Sequence, residues 1–167
     1  ALKSVSSAVE KAKSKFDSLK SSASQLADSV KSGVLSAANI TRGAGGDKPV
    51  TVGTIMGGLT ASRDKATAFA DALKRLKKKG LSKGLLQQVA EAGIEGGGLE
   101  TAGALLTASG SELQSVNSLQ GQISKAATSA GKTTASAVYG AQLKSQERLV
   151  KALDKLEDTL KKATKKG

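Results

Sequence analysis

From the amino end, apolar residues fall at Leu2, Val5, Val9, Ala12, Phe16, Leu19, Ala23, Leu26 and Val30, alternating steps of three and four without a slip. A repeat averaging 3.5 residues keeps a narrow seam on one side of a helix, which is the a/d pattern of a coiled coil. Lys11, Lys13, Lys15 and Lys20 lie off that seam, toward solvent or a partner. Two readings stand side by side: an intermolecular seam, and an amphipathic helix packed on its own chain. Either way residues 1–38 are expected to form an N-terminal coiled-coil helix.

The stretch "RGAGGDKPV" at 42–50 is a glycine-proline break that should end this helix, within a linker over 39–57. A second seam, Leu59, Ser62, Ala66, Phe69, Leu73 and Leu76, predicts a basic amphipathic helix over 58–79, with Gly80 as its left-handed terminator. Lys74, Arg75, Lys77, Lys78 and Lys79 crowd its last turns, where cations complement the negative end of the helix dipole. Residues 80–110 read as short helices between glycines. Ser82 opens one with Leu81 and Leu86 placed as a hydrophobic staple, it ends at Gly93, and another runs to Gly110. Helices this short do not persist alone in water, so Leu85, Leu86, Val89, Leu105 and Leu106 are expected to dock on an apolar surface. Ser111 and Gln114 have the capping-box spacing and open a helix over 111–140, weakened at Gly131 and Gly140. From 141 to 167 a basic coiled-coil helix resumes the repeat at Leu149, Leu153, Leu156 and Leu160 in a shifted phase, which predicts a stutter or break near Tyr139. The expected fold is all-α: long coiled-coil helices flanking short helices joined by Gly-rich turns.

Composition makes partners part of the expectation. Apolar residues are 38% of the chain and aromatics 2%, with alanine supplying much of the apolar share, so a core built from one chain is thin. Burial against copies of itself, or within a larger assembly, would complete it. The chain contains no Cys and no His, which removes thiolate metal sites, disulfides and the commonest groups for nucleophilic and general-base work. No enzyme, catalytic residue, cofactor or metal site is therefore expected. The net charge of +12 is concentrated on 1–38, 60–80 and 141–167, facing nucleic acid, an acidic lipid surface or an acidic protein wall. No apolar window reaches membrane-spanning length, and no secretion signal opens the chain. With Ala1 first and the repeat already running at Leu2, the chain is expected to be a piece of a longer polypeptide. "SAGKTT" at 129–134 imitates the end of a phosphate loop, but Ala126 stands where the first glycine belongs and no strand delivers the loop, so Lys132 is not expected to bind nucleotide.

Between Leu73 and Gly140 the runs "LKKKGLSKGLLQQVAEAG", "ETAGALLTASGSELQSVNSLQGQISKAA" and "GKTTASAVYG" resemble the later part of tail tape measure proteins of long-tailed phages that infect actinobacteria. The resemblance implies a long helical protein threaded through the tail tube, setting tail length during assembly and plugging the channel until DNA ejection. It implies a homotrimer, whose seam would be Leu2, Val5, Val9, Phe16, Leu19, Leu26 and Val30 together with Leu149, Leu153, Leu156 and Leu160. Tube, distal tail and hub proteins become the partners, the surface on which Leu85, Leu86, Val89, Leu105 and Leu106 would dock, with transient contact to genomic DNA or host membrane left open and no small-molecule substrate. The place would be the virion, inside the tail tube or tip, after synthesis in the host cytoplasm. The basic cluster at 74–79 would touch the tube wall. Two other classes stand beside this one: a sequence-independent DNA-binding protein, and a membrane-active amphipathic helical protein.

Overall fold

The computed structural model describes residues 2–41 and 49–164, without the side chains of residues 2–4 and Thr164; the expected seam side chain of Leu2 and the glycines at 43–46 lie outside the described residues. Within them the chain is all-α and has no strand. The helices are α1 (Leu2–Ser36), α2 (Val52–Lys79), α3 (Lys83–Ala92), α4 (Gly98–Thr107) and α5 (Gly110–Thr164). They fall into two units, Ala1–Ser118 and Leu119–Gly167.

The first unit holds the core. Phe69, Ala72 and Leu76 of α2, Leu81, Val89 of α3, Ile94, Ala102 of α4 and Leu113 of α5 form one buried cluster, and Phe69 and Leu76 are its largest fully buried side chains. α4 packs along α2, with its small residues Gly98 and Ala102 buried, and α3 touches α1, α2 and α4. From Ser62 to Leu76 the second sequence seam is therefore the face that α2 buries, while its first member, Leu59, stays exposed. Its polar member, Ser62, is half-buried and donates its hydroxyl to Ala37 O at 3.3 Å, tying α2 to the chain leaving α1.

Each turn around the core follows from local chemistry. α2 ends in a Schellman arrangement: Gly80 takes φ 94°, its N–H reaches Lys77 O, and Leu81 N reaches Leu76 O at 3.1 Å. Leu76 and Leu81, the two apolar residues that flank such a motif, are both in the core. Ser82 then caps α3, accepting from Leu85 N; of the flanking pair, Leu81 belongs to the core cluster and Leu86 packs half-buried against it.

Four boundaries differ from the sequence reading. α1 stops at Ser36, before the glycine-proline stretch, where Ser36 donates its hydroxyl to Gly33 O and Asn39 Oδ1 accepts from Thr41 N. A local Asx turn, available to any Asn-x-Thr, makes the exit. α2 begins at Val52 and not at 58, because Thr51 and Thr54 form a reciprocal capping box that carries the helix through Gly57 and Gly58. α5 is capped by Ser109 with Glu112, two residues ahead of the expected Ser111–Gln114 pair: Glu112 N donates to Ser109 Oγ, and Ser109 N donates to the Glu112 carboxylate at 2.7 Å. Finally, α5 runs unbroken through Gly121, Gly131 and Gly140, so that of the stutter or break expected near Tyr139 the break does not occur. A lone helical glycine costs about 1 kcal/mol relative to alanine, which a long helix tolerates where no competing cap waits to end it.

The second unit consists of the continuation of α5 from Leu119. Its large apolar residues are all exposed, including Ile123, Val138, Tyr139, Leu149, Leu153, Leu156 and Leu160.

Candidate interaction surfaces

The short-helix leucines have a surface to dock on, and it is this chain's own. Val89 is buried, and Leu85, Leu86, Leu105 and Leu106 pack half-buried against the Phe69–Leu76 cluster. The expectation that these five side chains dock on tail proteins is corrected accordingly. An amphipathic short helix needs an apolar neighbour, and α2 supplies one.

The basic cluster divides in two. Lys74, Arg75, Lys77 and Lys78 are exposed, Lys74 lying 3.7 Å from the carboxylate of Asp71. Lys79 is half-buried and turned inward: its ammonium donates to Leu105 O at 3.2 Å, Leu106 O at 2.7 Å and Ala108 O. These are among the carbonyls that the end of α4 leaves without helical partners, at the negative end of its dipole. Lys79 thus serves another helix and is removed from the set of wall contacts. Its charge also reaches Glu112 at the start of α5. Hydrogen bonds from the Ser109 hydroxyl and the Ser109 N–H hold the Glu112 carboxyl below its ordinary value of 4.5, with the Lys79 charge adding to them.

Sequence reasoning passed over Asn117. Its Nδ2 donates to Gly80 O at 2.9 Å and its Oδ1 accepts from Ser82 N at 2.8 Å. One amide satisfies both backbone groups of the α2–α3 turn and pins α5 beside it. A polar residue one turn after the buried Leu113, on the same helix face, was the only available signal.

Two apolar stripes are left on the outside. On α1, Val5, Val9, Phe16 and Leu19 are exposed, the last two at 67% and 70%. The same stripe becomes half-buried at Leu26 and Val30 and continues through Gly33, Val34 and Ala37, the last two packed on the core. There the Cα of Gly33 lies close enough to Gly93 that a Cβ on Gly93 would stand 3.8 Å from it. Leu26 and Val30, expected in an intermolecular seam, thus lie between the exposed stripe and the part of α1 that packs on the core. On α5, Leu149, Leu153, Leu156 and Leu160 are exposed and share an arc of about 60° at roughly 100° per residue.

An open groove beside α2 is lined by Ile40, Val50, Ile55, Leu59, Ile94 and Leu99. Among the described residues no His, Cys, Asp or Glu cluster suits a metal ion, and no helix is long and apolar enough to cross a membrane. No family model, curated protein or solved structure matches the chain.

Proposed function

We propose that this chain is a structural, non-catalytic segment of a phage tail, the later part of a tape measure protein. It sits in the tube lumen or at the tail tip, scaffolds tail assembly with its parent protein, and helps plug the channel until DNA ejection. The observation that supports this reading is a division of labour along the chain. A small helical core satisfies its own apolar and polar groups, while α1 and α5 carry long apolar stripes that stay exposed.

Self-association belongs to the α5 stripe. Leu149, Leu153, Leu156 and Leu160 occupy successive a/d positions, and Glu157 is the sole charged residue at the flanking e and g positions from 145 to 159, so copies meet without a wall of like charge. The trimer is the stoichiometry implied by the resemblance. Lys74, Arg75, Lys77 and Lys78 remain exposed for an acidic tube wall.

The core acts as an anchor, and length is measured elsewhere in the parent protein. A ruler adds about 1.5 Å per helical residue, a design that suits uninterrupted helices. Residues 80–110 instead fold back on α2. Deleting Leu81–Gly93 in frame removes Leu81 and Val89 from the core and is expected to abolish tail initiation, with any residual tails at normal length. Abundant infectious tails shortened by about 20 Å would place the segment in the ruler and overturn the anchor assignment.

A further inference from the structure

We infer that the exposed part of the α1 stripe binds a helix whose own apolar seam is flanked by carboxylates, and that a second copy of α1 is not its occupant. The argument begins with where the charges stand. In the heptad frame set by Val5, Val9, Phe16 and Leu19, the flanking e and g positions from 6 to 29 hold Ser6, Ala8, Lys13, Lys15, Lys20, Ser22, Ala27 and Ser29. Every charge among them is a lysine. At about 100° per residue, Lys13, Lys15 and Lys20 stand within roughly 80° of the stripe, whereas Glu10, Asp17 and Asp28 stand about 120–140° away.

All three lysines are exposed, and none forms an ion pair among the described residues. Asp17 is three or four residues from both Lys13 and Lys20, within reach for a helical pair, yet neither pair closes. The cations are left to an outside partner.

A second α1 is a poor one. In a parallel pairing the g position faces the e′ position of the next heptad, which sets Lys15 against Lys20 of the other copy. In an antiparallel pairing e faces e′ and g faces g′, and every charged position again meets lysine or a neutral residue. A helix with Glu or Asp at those places converts each repulsion into an attraction.

A flat anionic bilayer is also disfavoured by what lies further along the same face. From Gly33 to Ala37 that face packs on the core, where Gly33 meets Gly93. The α1 stripe thus already packs on helical protein, and the core stands out from the face on which a bilayer would have to lie. A helix about 10 Å across fits in line with that packing and stops where the core begins. This interface is a property of α1 and does not depend on the tail assignment.

The test uses the whole chain and two synthetic four-heptad peptides with Leu at a and d, one carrying Glu at e and g and the other Lys. Fluorescence anisotropy of labelled peptide should show the Glu peptide binding at least about tenfold more tightly, with the margin shrinking as salt rises. Replacing Lys13, Lys15 and Lys20 together by Glu should reverse the preference. Phe16→Asp with Leu19→Asp should remove binding, while Leu153→Asp with Leu156→Asp should leave it intact. All these positions are exposed, so thermal unfolding of the core should be unchanged in each variant. Equal binding of both peptides, no binding, or binding that survives Phe16→Asp with Leu19→Asp would overturn the inference. So would tighter capture of the chain by phosphatidylglycerol vesicles through the same residues, which would assign the stripe to a membrane.

Discussion

The ammonium of Lys79, on the last turn of α2, donates to the carbonyl oxygen of Leu106 at 2.7 Å, on the last turn of α4. A side chain that looks like one more cation in a basic run is thereby a cap for a helix remote from it in sequence. Lys79→Met keeps the stem and removes the charge. It is expected to lower the stability of the core by about 1 kcal/mol, or roughly 5 °C in the unfolding midpoint. Lys77→Met and Lys78→Met, at exposed positions, should change it by less than about 0.5 kcal/mol. Thermal unfolding followed by circular dichroism reads the difference.

Asn117 holds the α2–α3 turn from the side. Asn117→Ala leaves Gly80 O and Ser82 N without their partner and should cost about 1–3 kcal/mol. Asn117→Asp retains an acceptor for Ser82 N but sets a second oxygen against Gly80 O, so its loss should fall between the wild type and alanine. Amide exchange at Ser82 should accelerate in both variants while exchange within the second unit stays unchanged. Uniform acceleration along the chain would show that the amide is not a local clamp.

Two glycines of α4 make opposite demands. A Cβ on Gly98 would stand within 3.0 Å of both Gly93 O and Val89 O, whereas one on Gly103 meets nothing within 4 Å. Gly98→Ala must therefore push the start of α4 away from α3, at an expected cost of about 1–3 kcal/mol. Gly103→Ala should stabilise by about 0.5–1 kcal/mol through helix propensity. Chemical denaturation of the two variants gives opposite signs if the α3–α4 turn is as close as described.

Acid should weaken the start of α5 through Glu112. Its folded-state pKa lies below the ordinary 4.5, because the Ser109 hydroxyl and N–H bond to the carboxylate and Lys79 adds its charge. The contribution to stability is thus fully present above the unfolded value and is lost as pH falls through the folded one. In Glu112→Gln that dependence disappears. The unfolding midpoint of the variant should lie below the wild type at neutral pH and meet it in acid, and parallel curves across that range would refute the assignment.

Much of the fold was legible because its signals are local. Gly80, Ser82 and the Phe69–Leu76 repeat each act within one or two turns, and the structure places them as terminator, cap and buried face. The misread features depend on residues far apart. Nothing within one turn of Lys79 identifies the α4 carbonyls as its partners, and nothing near Asn117 points to Gly80. The leucines of α3 and α4 announced a need for burial but not its address, since apolar periodicity is the same whether the neighbour is this chain or another. Of the stutter or break expected near Tyr139, the break is absent for a different reason. A change in heptad phase alters which face a helix presents, and it ends a helix only where a cap takes over.

The tail assignment is tested most directly by cryo-electron microscopy of intact tails from a phage encoding this chain, reconstructed at the tip without imposed symmetry. Density for the α2–α4 core is expected in three copies, the stoichiometry the resemblance implies, with the stripes at Leu149, Leu153, Leu156 and Leu160 facing one another across the channel axis. Purified tails that lack the chain, or density in which those leucines face away from every copy, would contradict it.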